Sequence, residues 1–222
     1  MLWKQLFTSS IGKKILMAFT GFFLITYLIV HATINAFIFF NDNGQTFNTA
    51  ASFMLHNYVV RILEVGLFAG FILHIVQGLI LWKQNRSARE IKYKKQNYIK
   101  EINWNSRVMG WLGTFILLFL VMHLYHFWAS TKHELYFHGP EVNLYEEMKE
   151  IFTNPVWFVL YMIGLASLLF HLLHGFKSAF ETFGINNRKW TPVIRGIGVF
   201  YSVVICLLFA SMPLAFMAGW LQ

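Results

Sequence analysis

Five long apolar segments dominate this chain of 222 residues, and they restrict what it can fold into. A helix needs about 20 apolar residues to cross the hydrocarbon core of a bilayer. The composition agrees, since 57% of the residues are hydrophobic and only 13% are charged. We therefore expect an all-α membrane protein, one membrane domain over residues 1–222, with five transmembrane helices. They are predicted at about 15–40, 58–82, 107–130, 155–180 and 193–219.

The basic residues predict which way the helices run. All but three of the 18 Lys and Arg residues lie in the N-terminus, the 83–107 loop or the 177–195 loop; the exceptions are Arg61, Lys132 and Lys149. Because cytoplasmic loops carry the excess of basic residues, we predict a cytoplasmic N-terminus and an external C-terminus. The net charge of +8 then reflects topology and a docking surface, and no nucleic-acid partner is expected.

The single cysteine limits the redox chemistry of this chain. Cys206 stands among apolar residues, and one thiol is too few for an iron–sulfur cluster, which needs several. No glycine-rich phosphate loop is present either, so no flavin or nucleotide site is expected. Any such centre must lie on another subunit.

A repeat relates the first helical hairpin to the second. Met17, Gly21 and His31 in span one have the same spacing as Met109, Gly113 and His123 in span three. A second pattern, a histidine followed four residues later by glycine, joins span two to span four: His74 with Gly78, and His171 with Gly175. Parallel repeats of this kind predict a pseudo-twofold axis along the membrane normal.

The four histidines of the repeat fall into two layers. At about 1.5 Å per residue, His31 and His123 lie roughly 25 Å from the cytoplasmic edge, and His74 and His171 roughly 15 Å. Two imidazoles at one depth, from two helices of a bundle, can ligate one haem iron from both sides. The layers therefore predict two b-type haems among the first four helices, with a peripheral fifth.

Several histidines leave alternatives open. His174 lies one turn beyond His171 and competes with it; the glycine alignment favours His171, with His174 as a neighbouring or propionate contact. His126, one turn beyond His123, is interpreted as an interfacial residue or part of a quinone pocket. A single buried histidine is often only a hydrogen-bonding group, but four that match in depth and spacing favour ligation.

The chain resembles the five-helix di-haem cytochrome b anchor subunit of succinate:quinone oxidoreductases, which are succinate dehydrogenases and fumarate reductases. The resemblance covers most of the chain and depends on the order and spacing of several motifs. They are Ile29-Val30-His31, Phe47-Asn48, Ala50-Ala51, Phe53-Met54, Leu63-Glu64, His74-x-x-x-Gly78, Arg107-x-x-Gly110, Glu141-Val142-Asn143 and Phe170-His171-x-x-x-Gly175.

The resemblance implies a bacterial inner-membrane complex with a flavoprotein subunit and an iron–sulfur subunit at the cytoplasmic face. It implies an inner haem on His74 and His171 and an outer haem on His31 and His123. Menaquinone is the implied substrate, near the outer haem, and Glu64 is then the candidate for proton handling. The alternative for Glu64 is an interfacial carboxylate paired with Arg61.

Cationic and hydroxyl groups at the membrane edge are candidates for the propionates of the inner haem. We interpret four residues in this way: Ser106, Arg107, Lys177 and Ser178. Two other functions compete with the anchor subunit. One is a quinol-oxidising di-haem cytochrome b of a nitrate reductase or hydrogenase, and the other is a transporter or anchor without a cofactor.

Overall fold

Long α-helices make up the chain, for which a computed structural model describes residues 7–87, 100–137, 139, 142–185 and 187–221, with the backbone alone for 100–107. A 3-10 turn, Ala36–Phe40, extends α1, and a π segment, Leu124–Ala129, joins α4 to α5. No strand occurs within these ranges. The helices are α1 Ser10–Asn35, α2 Gln45–His56, α3 Tyr58–Ser87, α4 Lys100–His123, α5 Ser130–Phe137, α6 Leu144–Thr153, α7 Pro155–Thr182 and α8 Trp190–Met217.

Five helical segments are long and apolar enough to cross a membrane, which confirms the predicted number. We call them spans one to five: Ser10–Phe40, Tyr58–Ser87, Val108–Phe137, Pro155–Thr182 and Trp190–Met217. Several run beyond the predicted ends, since span three continues to Phe137. A helix satisfies its own backbone hydrogen bonds, so it continues into the polar interface after its apolar stretch has ended.

Side-chain caps explain where four of the spans begin. Asn154 accepts hydrogen bonds from the backbone of Val156 and Trp157, and Pro155 occupies the first helical position, where its missing N–H costs nothing. Caps of the same kind precede spans one, two and five, at Ser9, Asn57 and Asn187. Short polar residues thus precede the apolar helix in these four spans.

Spans one to four form a ring in chain order, and span five lies outside it. Each of these four packs on its neighbours in the ring, and spans two and three approach each other least. Span five packs chiefly on span four and also contacts span one, where the hydroxyl of Tyr201 donates to the carbonyl of Ile25. The predicted four-helix arrangement with a peripheral fifth helix is confirmed. Cys206 is buried, as predicted.

The two ends of the bundle differ in their connections. The end that carries α2 and α6 is called the acidic end, because α6 contains Glu146, Glu147 and Glu150. A core of Phe47, Tyr145, Phe152 and other apolar side chains closes this end against span five. The opposite end, with residues 83–87, 183–185 and 187–189, is called the basic end.

A tight turn with left-handed backbone leads into α2. Asn41, Asn43 and Gly44 all have positive φ, a conformation that glycine and asparagine tolerate best. Asp42 between them accepts hydrogen bonds from the backbone N–H and the hydroxyl of Thr46. The bond from the Thr46 hydroxyl, more than any other cause, holds the pKa of Asp42 below its usual value. The turn therefore places α2 beside α6.

Substituting Gly44 with alanine is expected to destabilise the acidic end. Gly44 has a φ of 78°, and a Cβ there would overlap the ring of Tyr145, which is only 1% exposed. The left-handed backbone costs a non-glycine residue about 1–2 kcal/mol, and overpacking adds about 1–3 kcal/mol. The measurement is the thermal unfolding midpoint of the purified protein in detergent, followed by circular dichroism.

Gly184→Ala is the matched control for this substitution. Gly184 has nearly the same φ, 82°, but a Cβ there meets nothing within 4 Å among the described atoms. The control should lose only the backbone contribution, so Gly44→Ala should have the lower midpoint. Equal midpoints for the two variants would contradict the close packing of Gly44 on Tyr145.

Candidate functional site

A large cavity runs through the ring formed by spans one to four. Its volume is about 2190 Å³, well beyond the roughly 300–1,000 Å³ of a pocket for one drug-sized ligand. All four spans line it, and span five adds Phe209, Met212 and Pro213. The four histidines of the repeat, His31, His74, His123 and His171, all lie on its wall.

His31 and His123 face each other toward the acidic end, and we call them the acidic-end pair. Their ring centroids are 5.7 Å apart and the ring planes are nearly perpendicular, at 89°. Tyr27 and Phe209 lie against the His31 ring, and Phe119 stacks on His123. Aromatic side chains thus surround both imidazoles and limit how they can turn.

His74 and His171 form a second pair closer to the basic end, the basic-end pair. Their ring centroids are 6.2 Å apart at an interplanar angle of 69°. The hydroxyl oxygen of Thr20 lies 3.1 Å from Nδ1 of His74. Nδ1 of His171 is buried and has no hydrogen-bond partner among the described residues, and the same is true of Nδ1 of His123.

The spacing within each pair suits a single metal ion between two imidazoles. Metal–imidazole bonds of about 2 Å on both sides of one ion put the ring centroids about 6 Å apart. A bare ion needs more protein ligands, but the described residues contain no group of three or more His, Cys, Asp or Glu side chains that would supply them. A haem iron needs only two protein ligands, because its porphyrin supplies the other four.

Glycines leave room for a planar group beside the histidines. Gly21, Gly78, Gly113 and Gly175 all line the cavity. At Gly113 and Gly175, an added Cβ would meet nothing within 4 Å among the described atoms. The spacing of the paired imidazoles and the open glycine positions therefore fit a haem in each layer.

The structure distinguishes the two histidines of span four. Both line the cavity, but only His171 has a ring contact with His74 among the described residues. His174 lies nearer the basic end, close enough to Lys177 and Glu181 to interact with their charges. The favoured ligand, His171, therefore has the better position, and its role stays a prediction.

His126 lies one turn beyond His123 in span three and packs against span four. It is buried between spans three and four, where Nδ1 is 3.1 Å from the hydroxyl of Tyr161 and the ring packs on Trp157. The π segment, Leu124–Ala129, has a wider turn than an α-helix, so His126 is rotated farther from His123 than its spacing suggests. It is not among the residues that line the cavity.

Glu64 sits at the centre of a charged cluster on the cavity wall. Its Oε2 is 2.7 Å from Arg61, its Oε1 accepts a hydrogen bond from the indole of Trp128 at 2.6 Å, and Lys132 lies 3.2 Å away. All four side chains line the cavity at the acidic end. The predicted pairing with Arg61 is present, but sequence reasoning missed Trp128 and Lys132, because they come from span three.

The predicted propionate contacts at the basic end have different positions. Ser178 lines the cavity, whereas Lys177 does not line it and pairs with Glu181 at 3.4 Å. The side chains of Ser106 and Arg107 lie outside the described residues. Lys14 and Arg86, which sequence reasoning passed over, do line the cavity at this end. The signal available in the sequence was that Lys14 precedes the first apolar segment and Arg86 follows the second.

Fold and site together define a multi-pass helical membrane protein with two facing histidine pairs in an internal cavity. The chain is similar to the succinate dehydrogenase cytochrome b558 subunit of Bacillus subtilis (strain 168). The two are 26% identical over 189 residues, which cover 83% of this chain and 82% of that relative. No family model matches the chain, and no solved structure matches it significantly.

Proposed function

We propose that this chain is the membrane-anchor cytochrome b subunit of a succinate:quinone oxidoreductase, with a b-type haem on each histidine pair. The observation that carries the proposal is the geometry of the pairs, whose centroids are 5.7 and 6.2 Å apart across one cavity. The similarity to a succinate dehydrogenase cytochrome b558 subunit supports the choice of enzyme. A flavoprotein subunit and an iron–sulfur subunit are the proposed partners.

The proposed contribution of this chain to electron transfer is to hold two haems in a mostly apolar cavity. His31 with His123, and His74 with His171, are the residues that would hold a haem in each layer, and a haem held by two imidazoles would supply electron transfer rather than oxygen chemistry. A haem bound in each layer supplies one-electron redox chemistry. Mostly apolar side chains line the cavity, and the aromatic contacts on His31 and His123 limit how these two rings can turn.

The charged cluster at the acidic end is the proposed place of quinone chemistry. Glu64 faces the same cavity as the acidic-end pair, and the neighbouring cations and the indole N–H hold its carboxylate in one orientation. Menaquinone is the proposed substrate, and Glu64 is proposed to exchange protons with it. We propose that the basic end faces the cytoplasm of a bacterial inner membrane and that the acidic end faces outward.

Haem content of the whole complex tests this proposal. The complex, purified from native membranes with a tag on this chain, is expected to yield two haems b per chain in a pyridine-haemochrome assay. Its low-temperature spectrum should be that of low-spin, bis-histidine iron. A flavoprotein with succinate dehydrogenase activity should co-purify.

Other outcomes separate the alternatives. A colourless chain would leave only a cofactor-free anchor or transporter. Two haems with a nitrate reductase or hydrogenase subunit in place of the flavoprotein would keep the cytochrome and overturn its assignment to succinate oxidation or fumarate reduction.

A further inference from the structure

Thr20 and Gly21 of span one form a seat for the ring of His74 in span two. The Thr20 hydroxyl oxygen is 3.1 Å from Nδ1 of His74, and Thr20 is only 4% exposed. A Cβ on Gly21 would lie 3.4 Å from Cε1 of His74, so the bare glycine lets the ring lie directly against span one. One residue therefore provides a polar contact and its neighbour provides the space.

The hydrogen bonds of Thr20 define which atom of His74 carries a proton. A threonine hydroxyl has one hydrogen to donate and lone pairs to accept with. Its oxygen is 2.9 Å from the carbonyl of Leu16, which can only accept, so the hydroxyl hydrogen goes there. The hydroxyl then accepts from Nδ1–H of His74. The lone pair of Nε2 is left for a metal ion.

The partner of His74 has no such seat. Nδ1 of His171 is buried and unpartnered among the described residues. The repeat that aligns Gly21 with Gly113 puts Leu112 at the position of Thr20, and leucine has no group to accept a hydrogen bond. The basic-end pair is therefore asymmetric, with one oriented imidazole and one held by packing alone.

A hydrogen bond at Nδ1 changes the imidazole as a ligand. It fixes the tautomer and the ring plane, and it makes Nε2 a stronger electron donor, which favours the oxidised metal. Removing such a contact weakens the preference for the oxidised state, so the reduction potential rises. The effect should be confined to the layer in which the contact lies.

We propose that Thr20 is a positioning residue that orients His74 through Nδ1 and lowers the reduction potential of the basic-end haem. This inference rests on the proposed function, because it assigns a haem to the basic-end pair. Thr20 does not line the cavity, so it acts through His74 and touches no bound group itself.

The test compares three variants of Thr residues in the purified complex, with redox titrations that resolve the two haems. Thr20→Val keeps the shape and removes the hydroxyl, and it should shift one of the two haem transitions to higher potential. The electron paramagnetic resonance signal of the same haem should change, because the ring of His74 is free to turn. Thr20→Ser keeps the hydroxyl and should behave as the unsubstituted protein does.

Thr33→Val is the matched control. Thr33 lies on the same helix and donates to the carbonyl of Ile29 at 2.8 Å, but it is exposed and does not line the cavity. Both potentials should stay unchanged in this variant. Selective loss of one haem in Thr20→Val, with Thr20→Ser intact, would also support the proposal and would show the hydroxyl to be needed for ligation.

Two results would overturn the inference. One is an unchanged pair of potentials and resonance signals in Thr20→Val; Thr20→Ala provides the same measurement if the valine variant does not assemble. The other is an equal effect of Thr20→Val and Thr20→Ser, since Thr20→Ser keeps the hydroxyl and the effect would then not depend on it. Failure of the proposed function looks different, because the unsubstituted complex would itself contain no haem.

Discussion

Replacing His171 with alanine should reduce the haem content from two per chain to one, whereas replacing His174 with alanine should leave both haems in place. His171 and His174 are one turn apart on span four and both line the cavity. Only His171 has a ring contact with His74, at a centroid distance of 6.2 Å. Alanine at position 171 leaves His74 without an opposing imidazole, so the iron loses one of its two protein bonds.

The pair of variants carries its own control. Both remove one histidine from the same helix, so a general effect on folding should appear in both. The measurement is a pyridine-haemochrome assay for each variant of the whole complex, together with a low-temperature spectrum of the haem that remains. That spectrum should match the acidic-end pair, whose residues are unchanged.

The reverse result is equally informative. If His174→Ala loses a haem and His171→Ala keeps two, His174 is the ligand and span four must be rotated relative to its position here. Retention of both haems by both variants would contradict a basic-end haem on either histidine.

Replacing Glu64 with glutamine is expected to slow quinone turnover by about 100-fold, the lower part of the range for general acid–base groups. Glutamine keeps the size of the side chain and one hydrogen-bond-accepting oxygen, but it cannot take up or release a proton at neutral pH. Haem content should stay the same, and succinate should still reduce the haems, because those steps precede proton exchange with quinone. The measurement is succinate:quinone reductase activity of the complex beside the rate of haem reduction.

Glu147→Gln provides a matched control at the same end of the bundle. Burial, more than any other cause, raises the pKa of Glu147, with Glu134 and Glu150 nearby adding to the effect. It is not among the residues that line the cavity, so its substitution should leave quinone turnover unchanged. This separates a need for Glu64 from a general need for acidic groups at this end.

The competing function of Glu64 is to hold spans two and three together through Lys132 and Trp128. In that case Glu64→Gln should retain most of the turnover, because the amide oxygen still accepts from the indole N–H. Glu64→Ala would then lower the thermal unfolding midpoint and lose both haem and activity. Full turnover in Glu64→Gln would end the proposal that this carboxylate handles protons.

The facing histidines were predictable because they follow from periodic spacing. The intervals from methionine and glycine to His31 and His123 match. Because a helix rises by a constant amount per residue, equal intervals predict equal depths. Depth alone does not say which side of a helix a residue faces. His126 shows this limit, since it lies one turn beyond His123 but does not line the cavity, and its Nδ1 is 3.1 Å from the hydroxyl of Tyr161.

The residues around the histidine pairs were harder to predict from the sequence than the pairs themselves. Lys177 was an obvious cation near the membrane edge, yet it pairs with Glu181 on its own helix and does not line the cavity. Thr20 looked like an ordinary polar residue in an apolar helix, and its partner His74 is 54 positions away. A contact between helices depends on their rotation, which local sequence does not encode.

The sequence by itself determined that this protein is a bundle of five long apolar helices with basic residues gathered at one end. It also determined that four histidines lie in two layers, because length, charge and interval are properties of one helix at a time. Only the tertiary structure decided which faces meet: the seat of His74 on Thr20 and Gly21, the cluster around Glu64, and the ring contact of His74 with His171. Those depend on side-chain packing between helices, where a rotation of a fraction of a turn exchanges one partner for another.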